Sequence, residues 1–176
     1  MPELVHDPVR RQRLLFSRDG DILRAEVFAD PDGDVPSHYH PAQEERFEVL
    51  AGRVRFDVDR ERIEGGPGTR VVAPPGAKHA FRNVGKSEAH LRVEVEPALQ
   101  LQSFLEEAAA LARERRYTRR GLPARPGAVL ELADLMVRYA DTTVMAFPPR
   151  VIQRLLLAPL ARLRRRRSQM PDEPTL

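Results

Sequence analysis

The 176-residue sequence predicts a mainly β domain followed by about three α-helices. Three observations carry that expectation. Up to Pro97 the chain runs in short segments that alternate polar and apolar residues and are broken by Gly, Pro and Asp, the pattern of half-buried antiparallel strands. These segments are numerous and closely spaced, as in a β-sandwich or barrel. After Pro97 the apolar period lengthens to that of a helix.

Taken in order, Arg13 to Arg18 and Asp21 to Phe28 read as strands joined by an Asp19-Gly20 turn. A Gly/Pro-rich loop from Asp30 to Pro36 follows. Ser37 to His40 is a short strand that stops at Pro41, which has no amide to give to a ladder. Glu45 to Leu50 and Arg53 to Val58 are strands joined through Ala51-Gly52. Gly65-Gly66-Pro67-Gly68 is a turn between strands, not a phosphate-cradling loop, because it opens no helix. Thr69 to Ala73 and His79 to Asn83 flank Pro74-Pro75-Gly76. In Glu88 to Glu96, Leu91, Val93 and Val95 share one face, and His90, Arg92 and Glu94 share the other.

In the helical part, Ser103 and Glu106 have the spacing of a capping box, ahead of an apolar face of Phe104, Leu105, Ala108, Leu111 and Ala112. Gly121 to Gly127 is a linker. A second helix is expected from Ala128 to Ala140. A third is expected after Pro148-Pro149 and on to about Arg166, kinked at Pro159. The boundaries predicted are a barrel over residues 12–97, a helical extension over 98–167 and a disordered tail over 168–176.

Composition excludes several classes. There is no cysteine, so thiolate metal sites, cysteine nucleophiles and disulfide scaffolds are ruled out. No Gly-x-Ser-x-Gly is present, and no hydrolase triad is apparent. The net charge is +3. Residues 161–176 hold five arginines against two acids, so the basic excess belongs to the tail and the rest of the chain is balanced. No nucleic-acid footprint is expected on the body. No apolar run is long enough to span a bilayer, and the first residues lack an apolar signal core, so a cytoplasmic protein is expected. The Arg162 to Arg167 run after Leu155-Leu156-Leu157 has the composition of a membrane-surface helix. Packing on the barrel or on a second subunit is preferred, because Pro159 would kink a membrane-surface helix and Trp is absent.

The chemistry concentrates in two clusters. His38 and His40 are two apart on one strand, so both imidazoles face the same way, and a carboxylate arrives just after the Pro41 turn. A Pro/Gly turn then delivers His79 on another strand. Three imidazoles and a carboxylate at these spacings point to one mononuclear metal site made of His38, His40, Glu45 and His79. Two motifs carry a family resemblance. The pattern G-x5-H-x-H-x(3,4)-E-x6-G maps onto Gly33, His38, His40, Glu45 and Gly52, with four residues instead of five after Gly33. The pattern G-x5-P-x-G-x2-H-x3-N maps without a gap onto Gly68, Pro74, Gly76, His79 and Asn83. The sequence thus resembles a cupin over roughly residues 12–97, which implies a jelly-roll β-barrel with the metal on its inner wall.

Glu44 also fits the looser carboxylate spacing. Only Glu45 leaves six residues before Gly52, and only Glu45 shares strand parity with Phe47 and Val49. Glu44 is therefore read as a solvated acid. The ligand set suits one divalent transition metal: Fe first by resemblance to cupin dioxygenases, with Mn, Ni, Co, Cu or Zn as alternatives. Phe47 and Phe81 share parity with the ligands, as pocket walls or as core. Tyr39 points away. Asn83 is expected to serve the fold, His90 to face solvent, and His6 to lie in a mobile N-terminal arm. The expected function is an Fe(II)-type oxygenase acting on a small organic substrate. The alternatives are an isomerase or cyclase using the ion as a Lewis acid, and a non-catalytic metal- or ligand-binding module. A homodimer is expected from the resemblance.

Overall fold

A computed structural model describes residues 4–168. Two antiparallel sheets face each other. The larger is built from β1 (Val5–Asp7), β2 (Gln12–Asp19), β3 (Ile22–Ala29), β5 (Glu44–Ala51), β8 (Arg70–Ala73) and β10 (Ala89–Glu96), in the order β1-β2-β3-β10-β5-β8. The smaller uses β4 (Asp34–Tyr39), β6 (Val54–Val58), β7 (Glu61–Gly65), β9 (His79–Asn83) and β11 (Val144–Met145), in the order β11-β4-β9-β6-β7. With three helices after β10, and β11 set between the second and third, this is the mainly β architecture expected of a jelly roll. The helices are α1 (Leu101–Arg113), α2 (Ala128–Arg138) and α3 (Arg150–Ser168).

Strict alternation generates the core. Leu14 and Phe16 of β2, Leu23, Ala25 and Val27 of β3, and Leu91, Val93 and Val95 of β10 all point between the sheets. Phe56 is 1% exposed, with its ring 5.2 Å from that of Phe47 and 6.4 Å from that of Phe81. The opposite face of the large sheet is a lattice of cross-strand ion pairs, such as Arg24–Glu94 at 2.8 Å and Arg92–Glu26 at 3.0 Å. His90 lies on this outer face but is not fully solvated. Its ring stacks 4.4 Å from Phe28, and its Nε2 is 2.6 Å from Glu26. Asn83 serves the fold: its amide donates to the Ala29 and Ser87 carbonyls, and its oxygen accepts from Gly85. Gly52 sits at φ +84°, where an added Cβ would lie 2.7 Å from the Ala89 Cα.

Several boundaries differ from expectation. The N-terminal arm is not free, because Val5 to Asp7 pair with Leu14 to Gln12. β4 begins at Asp34 and ends at Tyr39. The edge strand β7 and the two-residue β11 were not anticipated. α1 begins at Leu101 and has no side-chain cap, and Ser103 lies exposed inside it. Burial of Leu101 against the core draws the helix start upstream of the capping-box position. α3 runs on past Pro159 as expected, from Arg150 to Ser168. Its Arg164 and Arg165 reach the buried Asp134 of α2 at 3.0 and 2.8 Å, so part of the arginine run is a packing device. Val151, Leu155 and Leu156 are exposed. No described helix is long and apolar enough to cross a membrane. The tail expected beyond the extension lies, from residue 169 on, outside the described residues.

Candidate metal centre

The four side chains picked out by spacing meet at one end of the sandwich. His38 of β4 is the direct cross-strand partner of His79 on β9, and His40 follows just past the end of β4. Glu45 comes from β5, which belongs to the other sheet. β4 and β5 are consecutive in the chain but not hydrogen-bonded neighbours, because the turn at Pro41 carries the chain across the sandwich. The site therefore joins the two sheets.

Each side chain offers a ligand atom, and these atoms all lie within 4.8 Å of one another. Glu45 Oε2 is 3.1 Å from His40 Nε2 and 2.7 Å from His79 Nε2. The imidazole centroids are 4.3 Å apart for His38–His79, 5.0 Å for His38–His40 and 5.2 Å for His40–His79. His40, Glu45 and His79 are buried, and His38 is partly exposed.

The far nitrogen of every ring is engaged. Nδ1 donates to the Pro36 carbonyl from His38 (2.9 Å), to the Thr142 carbonyl from His40 (2.7 Å) and to the Ala77 carbonyl from His79 (2.9 Å). That pattern fixes the tautomer and leaves each Nε2 with a lone pair facing the cluster, the arrangement that orients metal-bound histidines. Without a cation, His40 and His79 would each need a second proton to donate to Glu45. With a divalent cation, three lone pairs and one carboxylate converge on a single charge. The donor set fits one such ion.

The electrostatics differ among the groups. Burial pulls the His38 pKa down to about 3, and the neighbouring His79 and His40 add to the effect. His38 is thus held neutral, as a ligand must be. Burial alone would raise the Glu45 pKa, but hydrogen bonds from His40 and His79 outweigh it and hold the carboxyl below its usual range. Burial opposes protonation of His40, yet the Glu45 hydrogen bond and charge raise its pKa.

A cavity of about 440 Å³ opens onto His38, His40 and Glu45. Its barrel walls include Leu14, Val27, Phe47 and Phe81, so the two phenylalanines are both core and pocket lining. The rest of the wall comes from the helical extension, including Phe104, Leu132, Met136 and Met145. Tyr39 lies opposite Val144 of β11, and Glu44 turns away to pair with Arg46 at 3.0 Å.

Sequence reasoning found the four candidate ligands but missed the extension's part in the site. β11 pairs with β4 through Met145↔His38, and the Thr142 carbonyl buttresses His40. A polar group at the cavity wall was also missed: Asp7, Arg10, Gln12 and Tyr117. No spacing rule links residue 40 to residue 142. The one usable sign was Thr142-Thr143-Val144, a β-branched run set between two helical patterns.

Residues 26–96 match the family model described as Cupin domain. The chain is 34% identical over 67 residues to "Polyketide synthase CurC" of Streptomyces cyaneus, covering 38% of this chain and 44% of that protein. It is 36% identical over 61 residues to "Protein SchB" of Streptomyces halstedii, covering 35% of this chain and 44% of that one. The chain thus spans less than half the length of these relatives. Among solved structures, an RmlC-like cupin from Shewanella frigidimarina NCIMB 400 superposes with a TM-score of 0.52 at 16% identity, over 58% of this chain and 89% of that one. That likeness shows the fold alone. Motif residues, strand topology and family match agree: the chain carries a cupin domain at residues 26–96, extended at its C-terminus by three helices.

Proposed function

We propose that His38, His40, Glu45 and His79 hold one divalent metal ion, with iron as first choice, and that the protein is an oxygenase acting on a small, largely apolar organic molecule. The observation that carries this reading is the pairing of a four-ligand cluster with a mostly apolar cavity of about 440 Å³. That volume falls within the roughly 300–1,000 Å³ range of small-molecule sites. A divalent ion held by these four side chains would supply Lewis acidity or oxygen binding at whatever positions the protein leaves free.

The protein's own contribution is positional. The three Nδ1–carbonyl hydrogen bonds fix the imidazoles, Glu45 supplies the one negative charge of the set, and the cavity walls are mostly apolar. The apolar lining favours an oxygenase over an isomerase or cyclase, which needs acid and base groups facing the substrate. Of the titratable groups on the wall away from the cluster, Asp7, Arg10 and Tyr117 are engaged with one another and with the backbone, and Arg120 is exposed to solvent.

The test begins with anaerobic purification and elemental analysis. The Fe(II)-loaded protein is then exposed to nitric oxide, a substrate-free probe of open coordination positions, and assayed for oxygen uptake with a panel of apolar phenols. The expected results are about one metal per chain, an iron–nitrosyl paramagnetic signal, and oxygen uptake that His79→Ala lacks. Turnover of a panel member without oxygen uptake would move the assignment to a Lewis-acid isomerase or cyclase. The homodimer expected from the resemblance is likewise a proposal, and sedimentation velocity of the full chain tests it.

A further inference from the structure

We propose that Gln12 forms a subsite for a hydroxyl group carried by an otherwise apolar ligand of the cavity. This deepens the reading of that cavity as a ligand chamber and does not depend on the metal's chemistry. Gln12 opens β2 and shares its inward face with Leu14 and Phe16. Its register partners are Asp7 on β1 and Ala29 on β3. It lines the cavity, is 5% exposed, and its Oε1 has no hydrogen-bond partner among the described residues. A buried carbonyl oxygen left unpaired is costly, and native structures rarely keep one without a role.

The neighbours do not compete for that oxygen. Asp7 Oδ1 accepts from the Val9 and Arg10 amides, and Asp7 Oδ2 accepts from the Tyr117 hydroxyl at 2.9 Å. Arg10 Nη1 donates to the Arg119 carbonyl at 2.7 Å and lies 3.9 Å from Asp34, while the guanidinium sits 5.5 Å from the Tyr117 ring centroid. Asp7 and Arg10 offset each other in charge, and the further cation at this end, Arg120, is exposed to solvent, where water screens it. What remains unpaired is one buried acceptor in a largely apolar wall, which a small turn of the Gln12 side chain would present to the cavity, and its complement is a neutral O–H donor. A site built to bond a hydroxyl discriminates against the analogue that lacks it, because its own polar group is then left unpaired.

The test uses three probes of similar shape: 2-naphthol, 2-methoxynaphthalene and naphthalene. Binding to the full chain is measured by equilibrium dialysis near neutral pH, on both metal-stripped and metal-loaded protein. 2-Naphthol is expected to bind at least about fivefold more tightly than the other two, the range of one net hydrogen bond. The preference should appear with and without metal. In Gln12→Met it should vanish while naphthalene affinity is kept or improved, and the melting temperature should hold or rise because the unpaired oxygen is gone. Gln12→Asn keeps the amide but withdraws it by one methylene. It should lose most of the preference, and it carries the test if Gln12→Met does not fold. Equal affinities, a preference for the ether, a preference that survives in both variants, or one seen only with metal bound would overturn the proposal. None of these outcomes bears on whether the four-residue cluster binds metal, which elemental analysis reads separately.

Discussion

Glu45 and Glu44 are adjacent and chemically alike, and strand parity separates them. Glu45 faces inward with Phe47 and Val49 and meets two imidazoles, while Glu44 pairs with Arg46 on the outside. His79→Ala and Glu45→Ala should each lower bound metal at least about tenfold, since even the outer partners of metal ligands are worth about 10–100-fold in affinity. Glu44→Ala should leave metal content nearly intact. Elemental analysis of the three purified variants checks this, and equal losses at Glu44 and Glu45 would refute the choice of carboxylate. The candidate ligands were legible because a period of two is rigid: once Glu45 is inside, its neighbour is outside. Gln12 was not legible as a site residue. A lone glutamine at the start of a strand looks like an edge residue until the register sets it against Asp7 and the helices close over it.

Among the elements, strands with strong alternation were readable and short ones were not. β10 reads plainly because Leu91, Val93 and Val95 are all buried. β7, with sequence ERIEG, offers one half-buried apolar residue, Ile63, and forms only as an edge strand against β6. The capping-box pattern misplaced the start of α1 because burial of Leu101 outweighs a local cap of about 1 kcal/mol. Two predictions belong here. Gly52→Ala puts a Cβ against the Ala89 backbone at positive φ and should cost more than about 1 kcal/mol. Phe56→Ala empties the centre of the aromatic cluster and should cost about 3–5 kcal/mol. Urea denaturation measures both as a shift in midpoint at constant slope. A Gly52→Ala midpoint equal to wild type would mean that the Ala89 segment moves aside without cost.

For the molecule as a whole, the barrel and the helical extension are coupled through the candidate metal centre. The sequence divided them at Pro97, where the apolar period changes, and that division concealed the return of β11 to the small sheet. Val144 is 3% exposed and pairs with Tyr39, and two residues earlier the Thr142 carbonyl accepts the hydrogen bond from His40 Nδ1–H. An aspartate at position 144 would bury a charge with no counterion and displace β11, taking that carbonyl with it. In the full chain, Val144→Asp should therefore weaken metal affinity by about 10–100-fold, as expected when the outer hydrogen bond of a histidine ligand is lost. Competition with a chelating fluorophore reads the affinity, and circular dichroism reports whether the β-sheet signal persists. Val144→Ala, which leaves no charge to expel β11, should keep affinity near wild type. If Val144→Asp retains full metal affinity with its sheet intact, the extension is a roof over the cavity and nothing more. If affinity falls while the sheet signal stays, the helices help set the geometry of the centre, and trimming the chain to residues 26–96 would remove part of the site along with the lid.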